Sequence, residues 1–138
     1  MQRDDYLLTV DDEAVHYLSE RLIRKLQVRI DVERAMNGDE ACRLFAKRGS
    51  PALMLLDLRM PCMDGHQVLS WMHREGVPPP PVVFVLSSSM RTEDRELVAR
   101  FDFVSAYVEK PLRKESFVSL LSDEPNLLSV FPGVPPVP

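Results

Sequence analysis

At four separated places in this 138-residue chain a short apolar run ends in a group that can do chemistry. Asp11 and Asp12 follow the apolar stretch Tyr6 to Val10, and Asp57 follows Ala52-Leu53-Met54-Leu55-Leu56. Ser87 closes Val82-Val83-Phe84-Val85-Leu86, and Lys110 closes Ala106 to Glu109. Apolar runs without polar alternation read as strands buried on both faces of a parallel sheet. Open sheets of that kind bind ligands outside the carboxyl ends of their strands. An aspartate after one strand is commonly no more than a helix cap; four such ends on one rim are a site. Three carboxylates drawn together repel one another, and a hard divalent cation such as Mg²⁺, which prefers oxygen ligands, relieves the repulsion. With an ammonium and a hydroxyl added, the set suits phosphoryl transfer, which needs positioning and charge neutralisation. One carboxylate can then act as the nucleophile and carry the group as an aspartyl phosphate.

The elements that must hold these ends alternate strictly. From Asp12, Val15, Leu18, Leu22 and Leu26 recur at helical spacing, with Arg21, Arg24 and Lys25 on a solvated side. Val28, Ile30 and Val32 alternate with Arg29, Asp31 and Glu33, the pattern of a half-exposed strand near a sheet edge. Asn37 stands as N-cap of the next helix, with Glu40 in capping-box position. Gly49-Ser50-Pro51 breaks that helix before the central strand. Asp64 shapes a turn with Gly65, and a helix through Val68, Leu69 and Met72 runs to Gly76. Pro78 to Pro81 form a stiff connector. Thr92 is expected to cap a fourth helix with Glu93 and Asp94 in its first turn, and a fifth covers about Lys114 to Leu121. Strand–helix repeated five times implies a doubly wound α/β fold with helices on both faces, of which the flavodoxin-like order 2-1-3-4-5 is the commonest five-stranded form. Residues 1–124 are expected to form this one domain and 125–138 a proline-rich tail without regular structure.

Composition agrees with a soluble globular protein, at 45% hydrophobic and 28% charged residues. The net charge of −4 carries no basic footprint for nucleic acid. No apolar run reaches membrane-spanning length and no signal peptide opens the sequence, so a cytoplasmic protein is expected. Cys42 and Cys62 lack the spacing of a disulfide framework or a metal motif. His16, His66 and His73 fall on helical patterns as surface residues, and Trp71 and Tyr17 as packing residues. No glycine-rich phosphate loop follows any strand, which argues against nucleotide binding.

Four motifs together resemble the response-regulator receiver domain, the CheY-like module of two-component signalling. They are Leu8-Thr9-Val10-Asp11-Asp12-Glu13, Leu55-Leu56-Asp57-Leu58-Arg59-Met60-Pro61-Cys62-Met63-Asp64-Gly65, Val83-Phe84-Val85-Leu86-Ser87-Ser88 and Tyr107-Val108-Glu109-Lys110-Pro111. The resemblance covers about Tyr6 to Leu121. It implies that Asp57 is the phosphoacceptor, supplied by a sensor histidine kinase or a histidine phosphotransfer protein. It implies that Asp12, Asp57 and the main-chain carbonyl of Arg59 bind Mg²⁺ (or Mn²⁺), with Asp11 acting through a metal-bound water. Ser87, Ser88 and Lys110 would contact the phosphoryl oxygens, and Ser87 and Tyr107 would form the conformational switch. Four departures stand out: a serine at Ser87 where most members have threonine, Phe103 where a small residue is usual, a last helix curtailed by Pro125, and the rigid Pro78–Pro81 connector.

The expected protein is therefore a stand-alone signalling switch that catalyses at most its own phosphorylation and dephosphorylation, not a metabolic enzyme, working as a monomer or weak dimer on an unidentified downstream protein, with no nucleic acid or membrane partner. The alternative is a receiver-like interaction module that works without phosphorylation. An aspartate-nucleophile phosphohydrolase is disfavoured, because Arg59 occupies the place of the second aspartate in the Asp-x-Asp motif of such enzymes.

Overall fold

The computed structural model describes residues 6–10, 14–25, 30–59, 64–77, 80, 82–88, 91–110 and 112–122. Strands β1 (Tyr6–Val10), β2 (Asp31–Ala35), β3 (Leu53–Asp57), β4 (Val82–Ser87) and β5 (Ala106–Glu109) alternate with helices α1 (Ala14–Lys25), α2 (Gly38–Arg48), α3 (Gly65–Arg74), α4 (Thr92–Ala99) and α5 (Lys114–Ser122). The strands form one parallel sheet in the order β2-β1-β3-β4-β5, the expected flavodoxin-like arrangement. The three central strands are buried along their whole length, and the edges β2 and β5 are partly exposed. Unbroken apolar runs and alternating ones thus sort to the centre and the edge.

The period of two along each strand divides the core. Leu7, Leu53, Leu55, Phe84 and Leu86 face one side with Leu22 of α1 and Phe117 of α5. Leu8, Met54, Leu56, Val83 and Val85 face the other with Phe45 of α2, Leu69 and Met72 of α3 and Val98 of α4. Two layers of helices follow because right-handed crossovers running in opposite directions along the sheet lie on opposite faces: α1, leading from β1 to β2, covers one, α2, α3 and α4 cover the other, and α5, after the last strand, returns to the face of α1.

Several local expectations shift. The second strand runs Asp31–Ala35, later than the alternation 28–33 suggested, and residues 26–29 lie outside the described residues. Asn37 does cap α2, its Oδ1 accepting the Glu40 N–H at 3.0 Å, but the Glu40 carboxylate accepts the N–H of Met36 at 2.7 Å, one residue earlier than a capping box requires. Asp64 is more than a turn residue: it caps α3 and exchanges bonds with Gln67 in a full capping box. Thr92 is the first residue of α4, Arg91 holds the N-cap position in extended conformation, and no side chain caps the helix. The residues of the tail 123–138, along with Pro78, Pro79, Pro81 and Cys62, lie outside the described residues.

Candidate functional site

The rim of the sheet is assembled by main-chain ladders before any side chain is considered. Asp57 registers with Leu86, and Ser87 registers with Glu109. One residue beyond, the Leu58 N–H donates to the Leu86 carbonyl at 2.9 Å and the Lys110 N–H donates to the Ser87 carbonyl at 2.9 Å. Parallel pairing thus fixes Asp57, Ser87 and Lys110 at neighbouring strand ends at one level of the sheet.

Asp57 is 2% exposed, although it is the last residue of its strand. Its Oδ2 lies 2.8 Å from Lys110 Nζ, and its Oδ1 accepts the Arg59 N–H at 3.1 Å. A buried carboxylate is tolerable because both oxygens are satisfied, one of them by a full charge. Ser87 is also buried, at the end of β4, whereas Ser88 is exposed. Side-chain alternation puts Ser87 on the same sheet face as Val83 and Val85. Tyr107 registers with Val85 and packs on that face too, so the two residues of the expected switch share a face. The Tyr107 ring lies under the Arg95 guanidinium, 5.5 Å from ring centre to Cζ, and lines a cavity of about 410 Å³ between α4 and β5. Phe103, the departure from a small residue, meets the Phe101 ring at a tilt of 50° with centroids 5.7 Å apart and packs against the same core.

Asp11 and Asp12 lie outside the described residues. Val10, the residue before them, registers with Leu56, the residue before Asp57. The donors that are described, the Asp57 carboxylate and the main-chain carbonyl of Arg59, are hard oxygens of the kind Mg²⁺ prefers. Among the described residues no three His, Cys, Asp or Glu side chains converge on a metal site, so a complete set would require the two N-terminal aspartates.

Two contributors went unrecognised in the sequence. Gly65 begins α3 with its N–H on the Leu58 carbonyl at 3.0 Å, so close to β3 that a Cβ there would lie 2.5 Å from the Asp57 carbonyl oxygen and 2.8 Å from Leu58 Cα. Its absent side chain lets the helix abut β3. The second is Asp94 of α4, whose carboxylate is held by the side chain of Arg59 at 3.1 and 3.3 Å. No spacing signal links residues 35 apart. His66 and His73, expected at the surface, both meet the Phe101 ring edge-on, at 5.7 and 6.2 Å. Tyr17 is exposed, beside Arg21. Among the described residues no helix is long and apolar enough to cross a membrane.

A profile described as "Response regulator receiver domain" matches residues 7–122. The chain is 35% identical over 116 residues to the "Probable methanogenesis regulatory protein FilR2" of Methanothrix harundinacea, an alignment covering 79% of this chain and 73% of that protein. It is 36% identical over 98 residues to the "Probable transcriptional regulator ycf27" of Porphyridium aerugineum, covering 69% of this chain but only 37% of the relative's length. A two-component response regulator from Cytophaga hutchinsonii has the same fold, with a TM-score of 0.75 at 24% identity, over 91% of this chain and 99% of that one.

Proposed function

Because the chain belongs to the response-regulator receiver family, a family of signalling switches in two-component systems, we propose that Asp57 is its phosphoacceptor. The group would come from a sensor histidine kinase or a histidine phosphotransfer protein. The observation that carries this reading is the buried Asp57 carboxylate at the end of the central strand, paired with Lys110 at 2.8 Å beside the buried Ser87.

In the transfer, one carboxylate oxygen of Asp57 attacks the phosphorus of a phosphoimidazole. The new O–P bond forms as the N–P bond breaks, and the imidazole nitrogen leaves with the electron pair and takes up a proton. Lys110 follows the charge from the carboxylate to a phosphoryl oxygen, and the Ser87 hydroxyl hydrogen-bonds another. Asp57, Asp12 and the Arg59 carbonyl would hold Mg²⁺ (or Mn²⁺), with Asp11 acting through water, and the bound cation would supply charge neutralisation for these oxygens. The aspartyl phosphate carries about −1.5 to −2 charges in place of the single charge of the carboxylate and adds three strong acceptors, enough to redirect Ser87 and open space for Tyr107 to turn inward. Partner binding changes as a result.

Intact-mass measurement after exposure to acetyl phosphate tests this. The wild type should gain one phosphoryl group only when Mg²⁺ is present, and Asp57→Asn should gain none. Equal modification of Asp57→Asn would move the acceptor elsewhere, and steady turnover of unrelated phosphate esters would replace the switch with a hydrolase.

A further inference from the structure

We propose that the guanidinium of Arg59 is a second cationic ligand of the phosphoryl group on Asp57, held in reserve by Asp94 until that group arrives. The inference rests on Asp57 being the acceptor and adds a residue and a means of regulation to that site.

Arg59 is divided between two places. Its main-chain N–H is committed to Asp57 Oδ1 at 3.1 Å, so the residue is anchored at the acceptor. Its side chain turns away and crosses to α4, where Nη2 lies 3.1 Å from Asp94 Oδ2 and 3.3 Å from Oδ1. The two partners are unequal: the Arg59 side chain is 61% exposed and that of Asp94 only 14%. The cation is the solvated, movable member, and the carboxylate is the sheltered one. An ion pair with so exposed a cation is weak and yields to a stronger competitor.

Phosphorylation supplies that competitor. A phosphoryl group carries up to twice the charge of Asp94 and offers oxygens that match the planar fork of arginine. It would arise on the carboxylate that the Arg59 N–H already touches. A cavity of about 130 Å³ lies beside the pair, lined by Arg59, Asp64, His66 and Asp94, so the Arg59 side chain is not packed in on that side. The ligand therefore binds one arrangement of Arg59 better than the other, as any population shift requires.

Moving Arg59 also has a cost that falls on α4. Asp94 gives up this cation in a setting where only a seventh of its side chain meets water. The helix is poorly anchored: Val98 is its one buried residue among the described residues, and no side chain caps its start. The pair is thus a tether on a weakly held helix, released by the event the site is built to sense.

Titration of the full-length protein with beryllofluoride in the presence of Mg²⁺, followed by calorimetry, tests the exchange, since that anion adds to a carboxylate as a phosphoryl mimic. Asp94→Asn frees Arg59 and should tighten binding about fivefold, whereas Arg59→Gln should weaken it by about the same factor. Both variants break the same ion pair, so a merely structural tether would move them in one direction. Shifts of the same sign, or no shift in either, would overturn the proposal while leaving Asp57 as the acceptor. If wild type and Asp57→Asn behave alike toward the anion, the acceptor assignment and this proposal fall together.

Discussion

Lys110 Nζ stands 2.8 Å from Asp57 Oδ2, a contact between the end of β3 and the residue after β5 that spans the width of β4. The Asp57 side chain is 3% exposed and that of Lys110 27%. Lys110→Met should leave Asp57 buried with only the Arg59 N–H, lowering stability by about 1–3 kcal/mol in metal-free buffer. Urea unfolding with and without Mg²⁺ checks this. A cation that occupies the site should recover more stability in the variant than in the wild type, because the variant lacks its own counter-charge.

Gly65→Ala should destabilise the fold by about 2–3 kcal/mol, since the new methyl would press on main-chain atoms of β3 that cannot rotate away. The same substitution at Gly49, which has open space around it but φ +81° and ψ −170°, should cost about 1–3 kcal/mol through backbone strain alone. Only the first should also slow phosphoryl uptake, because only there must the Asp57 carbonyl shift. Denaturation midpoints and modification rates of the two variants separate steric from conformational demand.

Hydrogen exchange should single out α4. With one buried residue and no side-chain cap, its amides 92–99 belong to the low-stability end of the molecule. Arg59→Gln should raise their exchange by about twofold, the scale of an exposed ion pair, while the β3 and β4 amides stay protected. Equal effects on the strands would mean that the variant loosens the fold as a whole.

Cys42 gives a pH test away from the site. Partial burial pushes its thiol pKa up, and the nearby Asp39 carboxylate adds to the shift. The folded chain therefore favours the neutral thiol: its contribution to stability is present below the unfolded pKa and is lost as pH rises through the higher folded one. Alkylation at Cys42, mapped by peptide mass, should be slow at neutral pH and accelerate only above the ordinary thiol range. Asp39→Asn should shift that acceleration to lower pH, because it removes a like charge beside the thiolate.

Much of this protein follows from its sequence because the signals are local. Tyr6–Val10 and Ala106–Glu109 are strands in the structure at the bounds their patterns suggest, and Asp57 can be singled out because an unbroken apolar run ends on it. The sheet order was legible as well, since strict strand–helix alternation leaves few ways to bury both faces. The nearness of Lys110 to Asp57 was foreseeable too, once both were read as strand ends on one rim.

Tertiary structure alone decided what depends on approach through space. Gly65 reads as a turn glycine until α3 is seen to lie against the carbonyl of Asp57. Arg59 and Asp94 each read as ordinary polar residues, one after a strand and one in the first turn of a helix, and nothing in their spacing pairs them. Periodicity reports which face of an element is buried; it does not report how closely two elements pack or which long side chain bridges them. Those distances are set by the sum of the packing around them, and they exist only once the sheet has formed.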